Sequence, residues 1–200
     1  MRKISIDKLD TLFSAISEAN TLYLPADTSA GAKFQKWEKG LKLSDKLNTV
    51  RSAKDFFFPQ TENLMDFKTE GKNIEIIDTR DECESFVIFG VRACDAASFD
   101  VLDRVFLSDP VDSYYKNRRE HATIISMACT KPAETCFFKT FDIDGADPDG
   151  DIVCYKTDDS LYLDSKTEKG ASLLDTLSGI TEAADEKFKN SQKALFHERY

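Results

Sequence analysis

Residues 86–129 switch twice between two kinds of hydrophobic pattern, and that switching constrains the fold more than any other feature of the chain. Phe86-Val87-Ile88-Phe89-Gly90-Val91 is a short continuous apolar run, as in a strand buried on both faces. From Asp95 the spacing becomes helical: Ala96, Phe99, Leu102, Val105 and Phe106 recur at steps of three and four until Pro110. Thr123-Ile124-Ile125-Ser126-Met127-Ala128-Cys129 is again a strand-like run, preceded by a helical piece from Ser113 to His121. Strand, helix and strand make a βαβ unit, whose right-handed crossover lays its two strands parallel in one sheet. The expected fold is therefore α/β: a mixed, centrally parallel sheet of about five strands, with the βαβ unit over about residues 86–129, flanked by helices.

Around that centre the patterns are more local. Ser5 is placed to cap a helix running to Asn20, because Leu9, Leu12, Phe13 and Ile16 share one face. Thr21 to Leu24 reads as a short strand ended by Pro25, and Lys33 to Leu43 alternates weakly. Phe56-Phe57-Phe58 is too aromatic to face water, and Thr61 reads as the cap of a short helix with Leu64, Met65 and Phe67. Asn73 to Asp78 is a further strand, and Asp81-Glu82-Cys83-Glu84 a polar turn. Asp151 to Lys156 and Leu161 to Ser165 form a hairpin, after which a helical stretch from Glu168 runs into a polar tail ending at Tyr200. With 200 residues the chain is read as one domain, 1–200.

The chemistry concentrates in the cysteines. Cys94 sits where the first apolar strand gives way to its helix, and Cys129 ends the next strand, so parallel neighbours bring both thiols to the same carboxyl edge, with Cys136 on the following loop. Ligands of open α/β sheets sit outside that edge. The helix N-terminus and Arg92 favour a thiolate at Cys94 while Asp95 opposes it, and the balance is expected to lower the thiol's pKa. Three clustered cysteines suit a metal or redox site; they equally suit packing, since free cysteine is among the most buried residue types. Cys154 reads as a core thiol and Cys83 as incidental. His121 precedes the second strand and belongs at the opposite edge; His197, in the polar tail, is expected to be solvated.

Charge narrows the partners. A net charge of −9, with 27 Lys and Arg against 36 Asp and Glu, argues against a nucleic-acid or anionic-membrane footprint. No stretch approaches the ~20 apolar residues of a membrane span, and five cysteines without a secretory leader read as thiols in a reducing, cytoplasmic setting. Asp142 to Gly150 only faintly resembles a calcium loop: counting from Asp142 puts Val153, not Glu, at the twelfth position.

Gly90-Val91-Arg92-Ala93-Cys94-Asp95, Leu102-Asp103-Arg104-Val105-Phe106, Tyr114-Tyr115, Arg118-Arg119-Glu120 and Cys129-x-x-Pro132-x-x-x-Cys136-Phe137 occur in this order. With Lys54 to Glu62 upstream and Thr167-Glu168-Lys169-Gly170 downstream, they resemble the N-terminal region of one family of iron–sulfur proteins. That family joins the beta subunit of sulfhydrogenase to the electron-transfer subunit of anaerobic sulfite reductase. The resemblance implies an electron-transfer subunit of a hydrogenase or sulfite-reductase-like complex, working with flavin-bearing and catalytic subunits and performing no bond chemistry itself. In that family this region precedes a ferredoxin-like module with two [4Fe–4S] clusters, whose closely spaced cysteines this sequence lacks; the chain is expected to be the N-terminal part of a longer subunit. The resemblance also implies an iron–sulfur cluster on Cys94, Cys129 and Cys136, with Arg92 and Asp95 shaping its electrostatics. The family pattern is Cys-Phe-Cys at the loop's end; here Phe138 takes the last position, so Asp95 or an external ligand would have to complete a set of four. The rival readings are a cofactor-free docking domain with structural cysteines and, less favoured, a flavin site at the same edge.

Overall fold

The computed structural model describes residues 1–82 and 84–200; Cys83 lies outside the described residues. Its strands are β1 (Arg2–Ser5), β2 (Thr21–Thr28), β3 (Gly31–Lys36), β4 (Met65–Glu70), β5 (Asn73–Asp78), β6 (Phe86–Arg92), β7 (Ala122–Met127), β8 (Ile152–Lys156), β9 (Ser160–Ser165) and β10 (Glu182–Ala183). Its helices are α1 (Leu9–Ser17), α2 (Ala93–Phe106), α3 (Ser113–His121), α4 (Glu168–Thr176) and α5 (Lys187–Arg199). Eight strands form the main sheet in the order β10-β1-β9-β8-β7-β6-β2-β3, and β4 and β5 form a separate hairpin.

The centre is parallel, as the βαβ pattern implies: β2 with β6, β6 with β7, and β7 with β8. The outer pairs are antiparallel. β6 and β7 are mostly apolar and buried along nearly their whole length because helices cover both faces. On one face α1 and α4 bring Leu12, Phe13, Ile16, Leu174 and Leu177 against Val87, Phe89, Ile125 and Ile152. On the other, Ala96 and Phe99 of α2, Tyr115 of α3 and Phe57 cover Ile88, Val91 and Ile124.

The sheet has more strands than the expected five because its flanks are built from weakly patterned segments. Arg2–Ser5 is a strand on β9, so the first helix starts only at Leu9 and ends at Ser17. β2 runs through Pro25: its ladder with β6 stops at Tyr23, and Pro25 pairs only with Phe34 of β3, where the missing amide costs no bond to the centre. The stretch containing Leu64, Met65 and Phe67 forms no helix; Met65 and Phe67 belong to β4, exposed along its whole length. Of the three consecutive phenylalanines Phe57 is buried, whereas Phe58 remains 57% exposed.

One irregularity bears on the site. The β6–β7 register shifts between Phe89 and Val91, so Gly90 is an inserted residue, with φ of 84°. A Cβ there would lie 3.1 Å from Pro25 Cδ. Val87 and Phe89 face α1, whereas Val91 joins Ile88 on the α2 face, out of simple alternation. The bulge thereby re-aims the residues leading into Arg92, Ala93 and Cys94.

Candidate thiol pocket at the carboxyl edge of the sheet

Cys94 is the second residue of α2, which starts directly from the end of β6. Cys129 lies two residues beyond β7, held by its amide, which donates to the Gly145 carbonyl at 2.7 Å. Cys136 closes a turn: its amide donates to the Ala133 carbonyl at 3.0 Å, and its Sγ accepts from the Ala133 amide at 3.3 Å. All three thiols line one cavity of about 290 Å³, walled mainly by apolar residues, among them Pro132, Phe137, Phe138, Phe141, Ile143 and Phe196, with Asn48 and Thr135 as polar members. Cys94 and Cys136 are exposed at its mouth and Cys129 is half-buried.

The sulfurs lie within electrostatic reach of one another. Burial, with the carboxylate of Asp95 second, pushes the Cys94 thiol above its ordinary pKa, overcoming the amides at the start of α2; a charge on Cys136 pushes it further. This reverses the expected lowering: an apolar pocket penalises the anion more than one helix terminus stabilises it. Burial also raises Cys129; Arg92 opposes that rise, while charge on Cys94 or Cys136 adds to it. Cys154, the expected core thiol, is fully buried in β8 and pushed up to about 12 by burial.

Arg92 and Asp95 stand apart from the pocket lining. The Arg92 guanidinium donates to the Lys46 carbonyl at 3.2 Å in a neighbouring cleft, so its influence on Cys129 is through charge alone. Asp95 accepts from the Ser52 hydroxyl at 2.5 Å, which engages one of the oxygens a fourth ligand would use. His121 caps the end of α3 with its Nδ1 2.8 Å from the Asn117 carbonyl, at the opposite edge as expected. His197 is exposed, as expected, with its Nε2 3.0 Å from Asp144 Oδ1.

The pocket owes its floor to residues with no visible signal in the sequence. Phe196 of α5 is buried, and a Cβ on Gly145 would lie 2.9 Å from its ring and 3.6 Å from Cys129 Cβ. Only a glycine lets the carboxy-terminal helix seat its phenyl ring against the loop that holds Cys129. The ring also packs on Phe138, with centroids 5.8 Å apart. The run Cys136-Phe137-Phe138 and Phe141 was the available hint of an aromatic wall.

The donor set can be tested against what it would hold. A single thiophilic ion binds its sulfurs at about 2.3 Å and gathers them closely. Among the described residues no three His, Cys, Asp or Glu side chains are gathered for one ion. A polynuclear iron–sulfur cluster separates its thiolates more widely, and three thiols around one apolar cavity suit such a group with one ligand fewer than usual.

Among the described residues no helix is long and apolar enough to cross a membrane. No family model and no solved structure matches the chain. It is similar to Sulfhydrogenase 2 subunit beta of Pyrococcus furiosus, 28% identical over 196 residues that make up 96% of this chain. The chain spans 57% of that relative's length. This similarity, running over nearly the whole chain, supports the sulfhydrogenase beta resemblance that the ordered motifs carry.

Proposed function

We propose that this chain is the N-terminal domain of a redox subunit in a hydrogenase-like or anaerobic sulfite-reductase-like complex, and that Cys94, Cys129 and Cys136 hold an iron–sulfur cluster for electron transfer. The observation that carries the reading is the meeting of three thiols on one apolar cavity, in a chain similar to a hydrogenase subunit. When bound, the cluster would supply one-electron redox chemistry. The chain's own residues would supply the rest. Phe137, Phe138 and Phe141 give the sulfurs an apolar wall, and Phe196 packs close to the loop that holds Cys129. Arg92 provides the positive charge that offsets thiolate repulsion at Cys129. Electrons would pass to other subunits of the complex, among them flavin-bearing and catalytic ones, and the domain itself would break no bonds.

The second reading is a cofactor-free docking domain, favoured by the absence, among the described residues, of side chains gathered for an ion. Iron and acid-labile sulfide per chain, with a visible spectrum after anaerobic reconstitution, separate the two. Matching iron and sulfide with a brown chromophore, bleached in Cys94→Ser, are expected. Colourless, metal-free, folded protein would give the docking reading precedence.

A further inference from the structure

The hairpin of β4 and β5 projects four large apolar side chains from one face: Met65, Phe67, Ile74 and Ile76 are 57, 70, 69 and 70% exposed. Phe67 stands opposite Ile76, and Lys68 opposite Glu75 on the other face. Two strands alone are marginal in water; three or more with an apolar face are not. The hairpin is nonetheless firmly held at its base. Tyr114 donates its hydroxyl to the Leu64 carbonyl, Asn117 its amide to the Arg80 carbonyl, and Arg118 pairs with Glu62. Among the described residues β4 pairs with β5 alone, which leaves its outer edge available to another strand.

We infer that this edge is completed by β4 of a second copy of the chain, making a four-stranded antiparallel sheet across a two-fold axis at Phe67. The charge pattern of Met65-Asp66-Phe67-Lys68-Thr69-Glu70 selects the partner and the register. With Phe67 opposite Phe67, Asp66 faces Lys68 of the second copy, and Lys68 faces its Asp66. Shifting by two residues one way sets Lys68 against Lys68 and Asp66 against Glu70; the other way sets Asp66 against Asp66. A one-residue slip turns the apolar face against the polar one. β5 offers no such match: its best apolar register places Glu75 opposite Glu75. The Phe67-centred register also aligns Ile76, Phe67, Phe67 and Ile76 in one row across the new sheet. A two-fold contact of this kind closes on itself and adds no further copies.

Sedimentation equilibrium of the chain, with amide exchange read at β4, tests this. Association with a dissociation constant of about 1–100 µM is expected for so small an interface, together with β4 protection that rises with concentration. Lys68→Glu and Asp66→Lys, each alone, should weaken association about tenfold or more, because each sets like charges opposite. An equimolar mixture of the two should associate as the native chain does, since the introduced glutamate of one copy then meets the introduced lysine of the other. A native chain that stays monomeric up to about 300 µM, a mixture no better than its components, or β4 protection that appears only with other subunits present would each overturn the second-copy assignment.

Discussion

The two edges of the central sheet carry opposite kinds of chemistry. At the amino edge several motif side chains are tied to partners. Arg119 grips Asp103 through two hydrogen bonds of 2.8 Å, and Tyr115 donates to the same carboxylate at 2.6 Å. Asp151 accepts from the Ile124 amide and the Thr167 hydroxyl, and Lys169 donates to the Glu120 and Ala122 carbonyls. At the carboxyl edge three thiols face a cavity walled by phenyl rings, and burial raises the pKa of two of them, Cys94 and Cys129. The family-like motifs therefore divide by physical role. Asp103 and Arg119 tie α2 to α3, Arg118 holds the Phe57 carbonyl and Glu62, and Thr167, Lys169 and Gly170 seat α4 against the sheet; Cys94, Cys129 and Cys136 line the cavity.

The comparison can be broken most forcefully at Gly170. A Cβ there would lie 2.0 Å from the Asp151 carbonyl oxygen, backbone against backbone. Gly170→Ala should cost about 3 kcal/mol or more, or prevent folding, as read by urea unfolding; a nearly native midpoint would mean that α4 is not seated as described. Asp103→Ala should follow at about 2–3 kcal/mol, because it strands Arg119 and Tyr115 in a half-buried setting.

The same carboxylate sharpens the contrast through pH. Burial alone would raise Asp103, but the hydrogen bonds from Arg119 and Tyr115 outweigh it and hold the group below its ordinary value. A depressed folded pKa stabilises the fold above the unfolded value of about 3.9. That contribution is lost as pH falls through the lower folded value. Asp103→Asn should therefore flatten the acid limb of the stability profile; an unchanged limb would remove the ion pair from the account.

The smallest stability effects belong to the other edge. Cys94→Ala and Cys136→Ala should each change stability by no more than about 0.5–1 kcal/mol, since both thiols are exposed and pack little. The same substitutions should abolish iron retention after reconstitution. Losses as large as that of Asp103→Ala would make the thiols structural and erase the difference between the edges.

Much of this was legible in the chain. The βαβ unit could be read because β6, α2 and β7 each carry a strong local period, and that unit alone puts Cys94 and Cys129 at one edge. The β8–β9 hairpin and the core position of Cys154 followed from the same local patterning. The misread segments are those whose burial depends on distant partners. β1 is four residues long and exists because β9 and β10 flank it. β4 resembled a helix because neither of its faces is covered, so no burial pattern marked it as a strand.

By itself the sequence determined the parallel centre, the edge at which the thiols emerge, and the acidic character of the chain. Tertiary structure alone decided what those thiols meet. Asp95 is turned to Ser52, Arg92 acts from a neighbouring cleft, and Phe196, about sixty residues beyond Cys136, backs the pocket through a gap that only Gly145 leaves. Local periodicity is a property of adjacent residues, whereas the apolar pocket and the raised Cys94 and Cys129 thiols come from surfaces that meet only when the chain has closed.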